Sequence, residues 1–285
     1  MNLMKVCRMD FPRTLDASLT NLRQRWPHAW PGMDAVWRGC LHQLEGEQPQ
    51  DDPWTDSVHR CAHDVALWLD EDGEDRRRAG TEPAYHNRLH MADTMVCLTV
   101  LLMAQRTVVN ANPATTLRHE RLALLAMLAH DLLHDGGVNR FPAEMESRSA
   151  HALLPVMQQH ALSERDQHLV SHLILSTDAQ AVRAAHERVA DRPFSIDDVD
   201  CLTVLIQEAD VLASTLPGTG LELTRCLAKE WERSNPAAAP GLITPAGRLH
   251  FLERAALFSS PASRRLGVQS VRQAEMEALR RQLAN

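Results

Sequence analysis

Apolar residues in this chain recur at three- and four-residue spacing, and no alternating β-branched run stands out, so the pattern predicts an all-α protein. One stretch organises the rest. Residues 121–141 read RLALLAMLAHDLLHDGGVNRF. Its run of Leu122, Leu124, Leu125, Met127 and Leu128 predicts a helix that delivers His130 and Asp131 side by side. His134 follows one turn on, and Gly136 and Gly137 are expected to end the helix. Four-residue spacing would set His130 and His134 on one face. Buried imidazoles and carboxylates need partners, because unpaired polar groups are costly inside a protein, and a metal ion is the natural one.

The remaining elements follow from the same periodicity and its interruptions. Residues 1–80 carry Trp26, Trp30, Trp37, Trp54 and Trp68 among short helices broken at Pro27, Pro31 and Pro53. The expected role of these rings is to pack this segment onto residues 81–285, with dimerisation or substrate cover as further options. A helix from about Trp54 to Asp70 presents Val58, Cys61, Val65 and Leu69 on one face, and the charged run 71–80 reads as a solvated loop. His86 and His90 open the next helix, and a loop is expected around residues 110–113. Further helices are expected at about 143–160 and 163–176, then a charged stretch at 183–199 and an apolar helix containing Asp210. The loop LPGTG, an amphipathic segment LELTRCLAKEW, a linker from Ser234 and a final helix from about Val271 complete the chain.

Composition narrows the function classes. A net charge of -7 and a pI near 6.1 argue against a general nucleic-acid binder. The six cysteines are scattered without a close pair, which fits reduced thiols in a cytoplasmic protein better than a disulfide framework. No apolar run approaches the length of a membrane span, and the first residues lack the apolar core of a signal peptide.

Three predicted apolar helices thus carry candidate ligands: His90, the pair His130 and Asp131, and Asp210. Imidazoles with carboxylates suit zinc, manganese, iron or cobalt, and the carboxylates also suit magnesium nearby. Each piece has a plainer explanation: Asp210 could be a salt-bridged buried acid, and the pair His63 and Asp64 reads as a surface feature. Taken together and in this order, the set resembles the HD-domain metal-dependent phosphohydrolases, and within them the catalytic domain of class I cyclic-nucleotide phosphodiesterases. Residues 85–90 read Tyr-His-Asn-Arg-Leu-His, and residues 130–141 match the family's His-Asp-x-x-His-x-Gly-x-x-Asn-x-Phe through Asn139 and Phe141. Ile174 to Asp178 resemble an Ile-Leu-Ala-Thr-Asp segment, and Ala209-Asp210 resemble a later Ala-Asp. The likeness covers roughly residues 83–215.

The resemblance implies an all-helical HD-type bundle with two divalent ions, zinc with magnesium or manganese, or iron. His90, His130, Asp131 and Asp210 would ligate the first ion, and Asp131 would bridge to the second. A hydroxide between the ions would attack phosphorus in line with the leaving oxygen, with His86 as general acid. His134 would hydrogen-bond metal-bound water. Glu146 would match the family's glutamate just outside the metal ligands, although the local spacing differs, and Thr177 and Asp178 would support the second ion's waters, although both equally suit a helix cap. Tyr85 and Asn87 are expected to shape their loop. The implied activity is hydrolysis of a cyclic nucleotide, cAMP or cGMP, to its 5′-monophosphate, with neither nucleic acid nor membrane as partner and a homodimer as a further option. Two departures favour a second reading, an HD phosphohydrolase acting on another phosphodiester or a phosphomonoester. Gln269 and Gln273 are present where the family reads its purine, but no phenylalanine follows them, and Ala213 stands where the family tends to carry asparagine. A metal-stabilised binding or regulatory module is the third reading.

Overall fold

The computed structural model describes residues 11–46, 52–108 and 113–284, and these form fourteen helices and no strand, in keeping with the all-α expectation. In chain order they are α1 (Phe11–Arg25), α2 (Met33–Glu45), α3 (Pro53–Ala79), α4 (Arg88–Arg106), α5 (Pro113–Ala129), α6 (Glu144–Gln159) and α7 (Glu164–Leu175). Then come α8 (Val182–Val189), α9 (Val199–Thr215), α10 (Pro217–Ser234), α11 (Ala239–Leu242), α12 (Pro245–Arg254), α13 (Pro261–Arg265) and α14 (Val268–Ala284).

Helices α4 and α9 sit at the centre because neither has a continuous polar face, and a helix that is apolar on all sides is stable only when surrounded. Leu98, Leu101 and Leu102 of α4 and Leu202, Leu205 and Ile206 of α9 have no solvent exposure. Each such side chain contributes about 1.5–3 kcal/mol by leaving water. The two helices pack along each other, with α2 and α5 also against α4 and with α8 and α10 against α9. One apolar cluster runs from Phe11 to Val268, so the Trp-rich segment shares the core of the rest. Trp37 is buried, while Trp30 and Trp54 pack on the core and donate their indole N–H groups to Asp70 (2.7 Å) and Asp166 (2.9 Å). The expected loop at 110–113 falls largely on residues outside those described. Among the described residues, no helix is long and apolar enough to cross a membrane.

Four local expectations are corrected. The charged run 71–80 is helical: α3 continues to Ala79, because its charges fall three and four apart and pair along the helix. Asp72 meets Arg76 at 2.6 Å and Glu74 meets Arg77 at 2.8 Å, and Gly80 at φ 70° closes the helix. The stretch LPGTG is the start of α10, with Pro217 in the first turn where its missing N–H costs nothing. The expected linker after Ser234 contains α11 and the start of α12. Finally, α5 ends at Ala129, so His130 to His134 lie in a tight turn, closed by Leu132 N–H to Ala129 O (3.1 Å) and His134 N–H to Asp131 O (3.0 Å).

Candidate metal centre

The N-terminus of α4 is built by Asn87. Its carboxamide oxygen accepts the N–H groups of Leu89 (2.9 Å) and His90 (3.3 Å), and its nitrogen donates to Pro83 O (3.0 Å) and Ala84 O (3.2 Å). This cap satisfies two of the helix's free donors and fixes the loop on which His86 stands. His86 therefore precedes the helix, while His90 occupies its first turn.

Four donors converge between α4, the end of α5 and α9. His90 Nε2 lies 3.5 Å from Asp131 Oδ2 and 3.3 Å from Asp210 Oδ1. His130 Nε2 lies 3.2 Å from Asp131 Oδ2 and 3.6 Å from Asp210 Oδ1. Metal–ligand bonds of about 2.1 Å separate neighbouring donors by about 3.0 Å at right angles and about 3.4 Å in a tetrahedron. The four imidazole–carboxylate edges have about that size, and the donors grouped within 4.8 Å of one another are those of His90, His130 and Asp210. Protonation fits as well: the Nδ1–H of His130 donates to Met127 O at 2.8 Å, which leaves Nε2 with a lone pair. That nitrogen is buried and has no hydrogen-bond partner. In its neutral form this imidazole would turn a lone pair toward the two carboxylates, an arrangement that could hold a divalent cation. The second neighbour of an adjacent His–Asp pair thus reaches the same point, because the turn after Ala129 brings both side chains round.

The electrostatics agree. Burial works against charge on all four groups, yet the imidazoles hold the Asp131 and Asp210 carboxyls well below the usual range. In return the two carboxylates push His90 up to about 9 and His130 upward too, against their burial. Without a cation, protons neutralise this set, so metal binding here must release protons.

A second cluster stands beside the first. The rings of His86 and His134 stack at 3.7 Å with 24° between their planes. Glu230 of α10 faces His86 Nδ1 at 2.5 Å through Oε1, and its Oε2 accepts the N–H groups of Tyr85 (2.8 Å) and His86 (3.0 Å). The donor atoms of His86, His134 and Glu230 lie within 4.8 Å of one another, as do those of His90, His130 and Asp210. The two trios differ in kind. Lone pairs lie in the ring plane, so near-parallel stacked imidazoles do not aim at a common ion, whereas the rings of His90 and His130 are tilted by 59°. The second trio is joined instead by ring stacking and a His–carboxylate hydrogen bond. Burial and the neighbouring His86 lower His134 to about 4, and its Nδ1 accepts Gly136 N–H at 3.1 Å, so it is a neutral Nε2–H donor. The expected shared face of His130 and His134 is thereby corrected: the turn sends one ring to each cluster.

The other expected residues lie around this core. Glu146 accepts from Asn139 at 2.9 Å, and burial together with the charges of Asp178 and Asp131 raises its pKa, so three carboxylates act on one another here. Thr177 donates to Ile174 O (2.8 Å) and Asp178 accepts Gln180 N–H (3.0 Å), which is local capping, while Asp178 also accepts Ala143 N–H (2.8 Å) and so ties the end of α7 to the start of α6. The Gln269 side-chain amide donates to Phe258 O at 2.8 Å, which ties α14 to the segment between α12 and α13. Tyr85 reaches Ser214 at 3.0 Å and packs its ring 4.6 Å from His90. His63 and Asp64 diverge to Asp34 (3.0 Å) and His160 (2.7 Å), as expected of a surface pair. Phe141 is 56% exposed.

Glu230 escaped the sequence reading. The usable signal was an acid on the apolar stripe of α10, seven residues after the buried Leu223 and itself buried. No protein-family model matches the chain, and no curated protein matches it.

Proposed function

We propose that this chain is a metal-dependent phosphohydrolase that cleaves a phosphodiester, with a 3′,5′-cyclic nucleotide as the favoured substrate. The observation that carries this reading is the adjacency of two sets with different chemistry. His90, His130, Asp131 and Asp210 form a cation-sized cage, and His86, braced by Glu230, stands beside it as a proton donor. Divalent ions bound by these donors and the nearby carboxylates supply charge neutralisation at phosphorus and activation of water. The protein's own work is positional. Glu230 occupies His86 Nδ1, so Nε2 is the nitrogen free to give a proton to a departing alkoxide. The carboxylate compensates the imidazolium before the proton leaves and holds the ring through two backbone anchors. His134, neutral and stacked on His86, can donate to a water or phosphoryl oxygen without competing for the proton.

A second reading keeps the metals and changes the substrate to another phosphodiester or a phosphomonoester. The Gln269 amide favours it, since that group is engaged with Phe258 O instead of standing free for a purine edge. A phosphoester panel with zinc, magnesium or manganese decides between them. Hydrolysis of cAMP or cGMP to the 5′-monophosphate, lost in His86→Ala at unchanged metal content, is the expected result. A preference for monoesters selects the second reading. A fully metal-loaded wild type that cleaves nothing on the panel overturns both and leaves a binding module.

A further inference from the structure

Helix α1 is remote in sequence from every candidate ligand, yet two of its side chains reach the helices that carry the centre. Arg23 is buried, and its Nη2 donates to Asp93 Oδ2 on α4. Asp93 has no solvent exposure and follows His90 by three residues, so the two share one side of α4 a single turn apart. Its second oxygen, Oδ1, is buried without a hydrogen-bond partner. At the other end of α1, Asp16 accepts the N–H groups of Gly218 (2.8 Å) and Thr219 (2.7 Å), and so caps α10, the helix of Glu230.

A buried ion pair is a poor device for stability alone, because well-packed apolar residues of similar volume commonly serve as well or better. The position of this one gives it another use. A ligand binds best when the element that carries it is held in place, and an ion pair to a neighbouring helix does this at a fixed point on the ligand's own helix. Asp93 is fully buried one turn along α4 from His90, so its ion pair with Arg23 fixes α4 to α1 beside that residue.

We propose that Arg23 and Asp93 are positioning residues of the metal centre, with their ion pair between α1 and α4 holding the first turns of α4, and His90 with them, in place. The proposal rests on the reading of His90 as a metal ligand. Its test is zinc affinity by chelator competition on the full chain, a readout independent of turnover. The double variant Arg23→Met/Asp93→Asn removes both charges and leaves neither buried alone. Its zinc affinity should fall about 10–100-fold, while the metal-free protein melts close to wild type. Asp93→Asn alone, which keeps an acceptor for Arg23, should move affinity in the same direction. The control is Arg106→Met/Glu120→Gln, which removes an ion pair with a fully buried carboxylate. Arg106 is about 24 Å along α4 from His90 at 1.5 Å per residue, and this change should leave zinc affinity unchanged. Wild-type affinity in the Arg23/Asp93 variants, or an equal loss in the control, overturns the proposal while leaving the metal centre intact. A wild type that binds no zinc removes the metal-ligand reading and the proposal with it.

Discussion

Glu230→Gln is the substitution that isolates what the acid's partner does. Glutamine keeps the shape of the side chain and can still accept the N–H groups of Tyr85 and His86, now 2.8 and 3.0 Å from Oε2. It lacks the charge that faces His86 Nδ1 at 2.5 Å. With its single oxygen so engaged, the glutamine turns its NH2 toward that nitrogen and cannot accept from it, so the whole hydrogen bond to a charged group is lost, about 1.5–3 kcal/mol. At about 1.4 kcal/mol per factor of ten, turnover should fall about 10–150-fold. The assay compares two substrates in the same variant: a cyclic nucleotide, whose alkoxide leaving group needs a proton, and a p-nitrophenyl phosphodiester, whose leaving group does not. The loss should appear with the first and nearly vanish with the second. It should also vanish in a His86→Ala background, because the two residues act as a unit. Equal losses on both substrates, or a full additional loss on top of His86→Ala, would refute the role given to the pair.

Three other outcomes follow from the geometry. Stripping metal with a chelator should lower the melting temperature, and zinc at 100 times its dissociation constant should restore about 2.7 kcal/mol; an unchanged melting curve would count against the cage. Gly136→Ala should cost about 1–3 kcal/mol in denaturant unfolding, since φ there is 80° and a Cβ would sit 2.9 Å from Glu230 Cγ. A neutral effect would mean that the turn relaxes freely. Burial lowers His186 to about 4, below its unfolded value near 6.5, so the unfolded chain binds more protons between those pH values and stability falls as pH drops through that window. The full difference is about 3 kcal/mol, and His186→Leu should flatten that part of the stability–pH curve; an equally steep curve would contradict the assignment.

The candidate ligand set is legible in the sequence because each donor interrupts an apolar helical pattern, where buried polar atoms must find partners. His90, His130, Asp131 and Asp210 were expected together and do converge. The shared face expected of His130 and His134 requires α5 to continue through His134, whereas the turn after Ala129 parts the two residues. Charge runs and glycine-rich stretches misled for a related reason. Residues 71–79 are polar enough for a loop, but their i,i+3 and i,i+4 pairs make a helix, and LPGTG starts α10 with its N–H groups capped by Asp16, about two hundred residues earlier. Glu230 is the clearest case. Its meaning comes from His86, far away in the chain, and only the packing of α10 beside that loop reveals it.

The central claim is that two imidazoles and two carboxylates close on one ion. X-ray absorption on the zinc-loaded protein tests it directly, with His130→Ala as the comparison. The account predicts a shell of nitrogen and oxygen at about 2.0–2.2 Å with two imidazoles, and a loss of imidazole scattering and retained zinc in the variant. A sulfur-containing shell, or the same imidazole count and zinc content in His130→Ala, would contradict it.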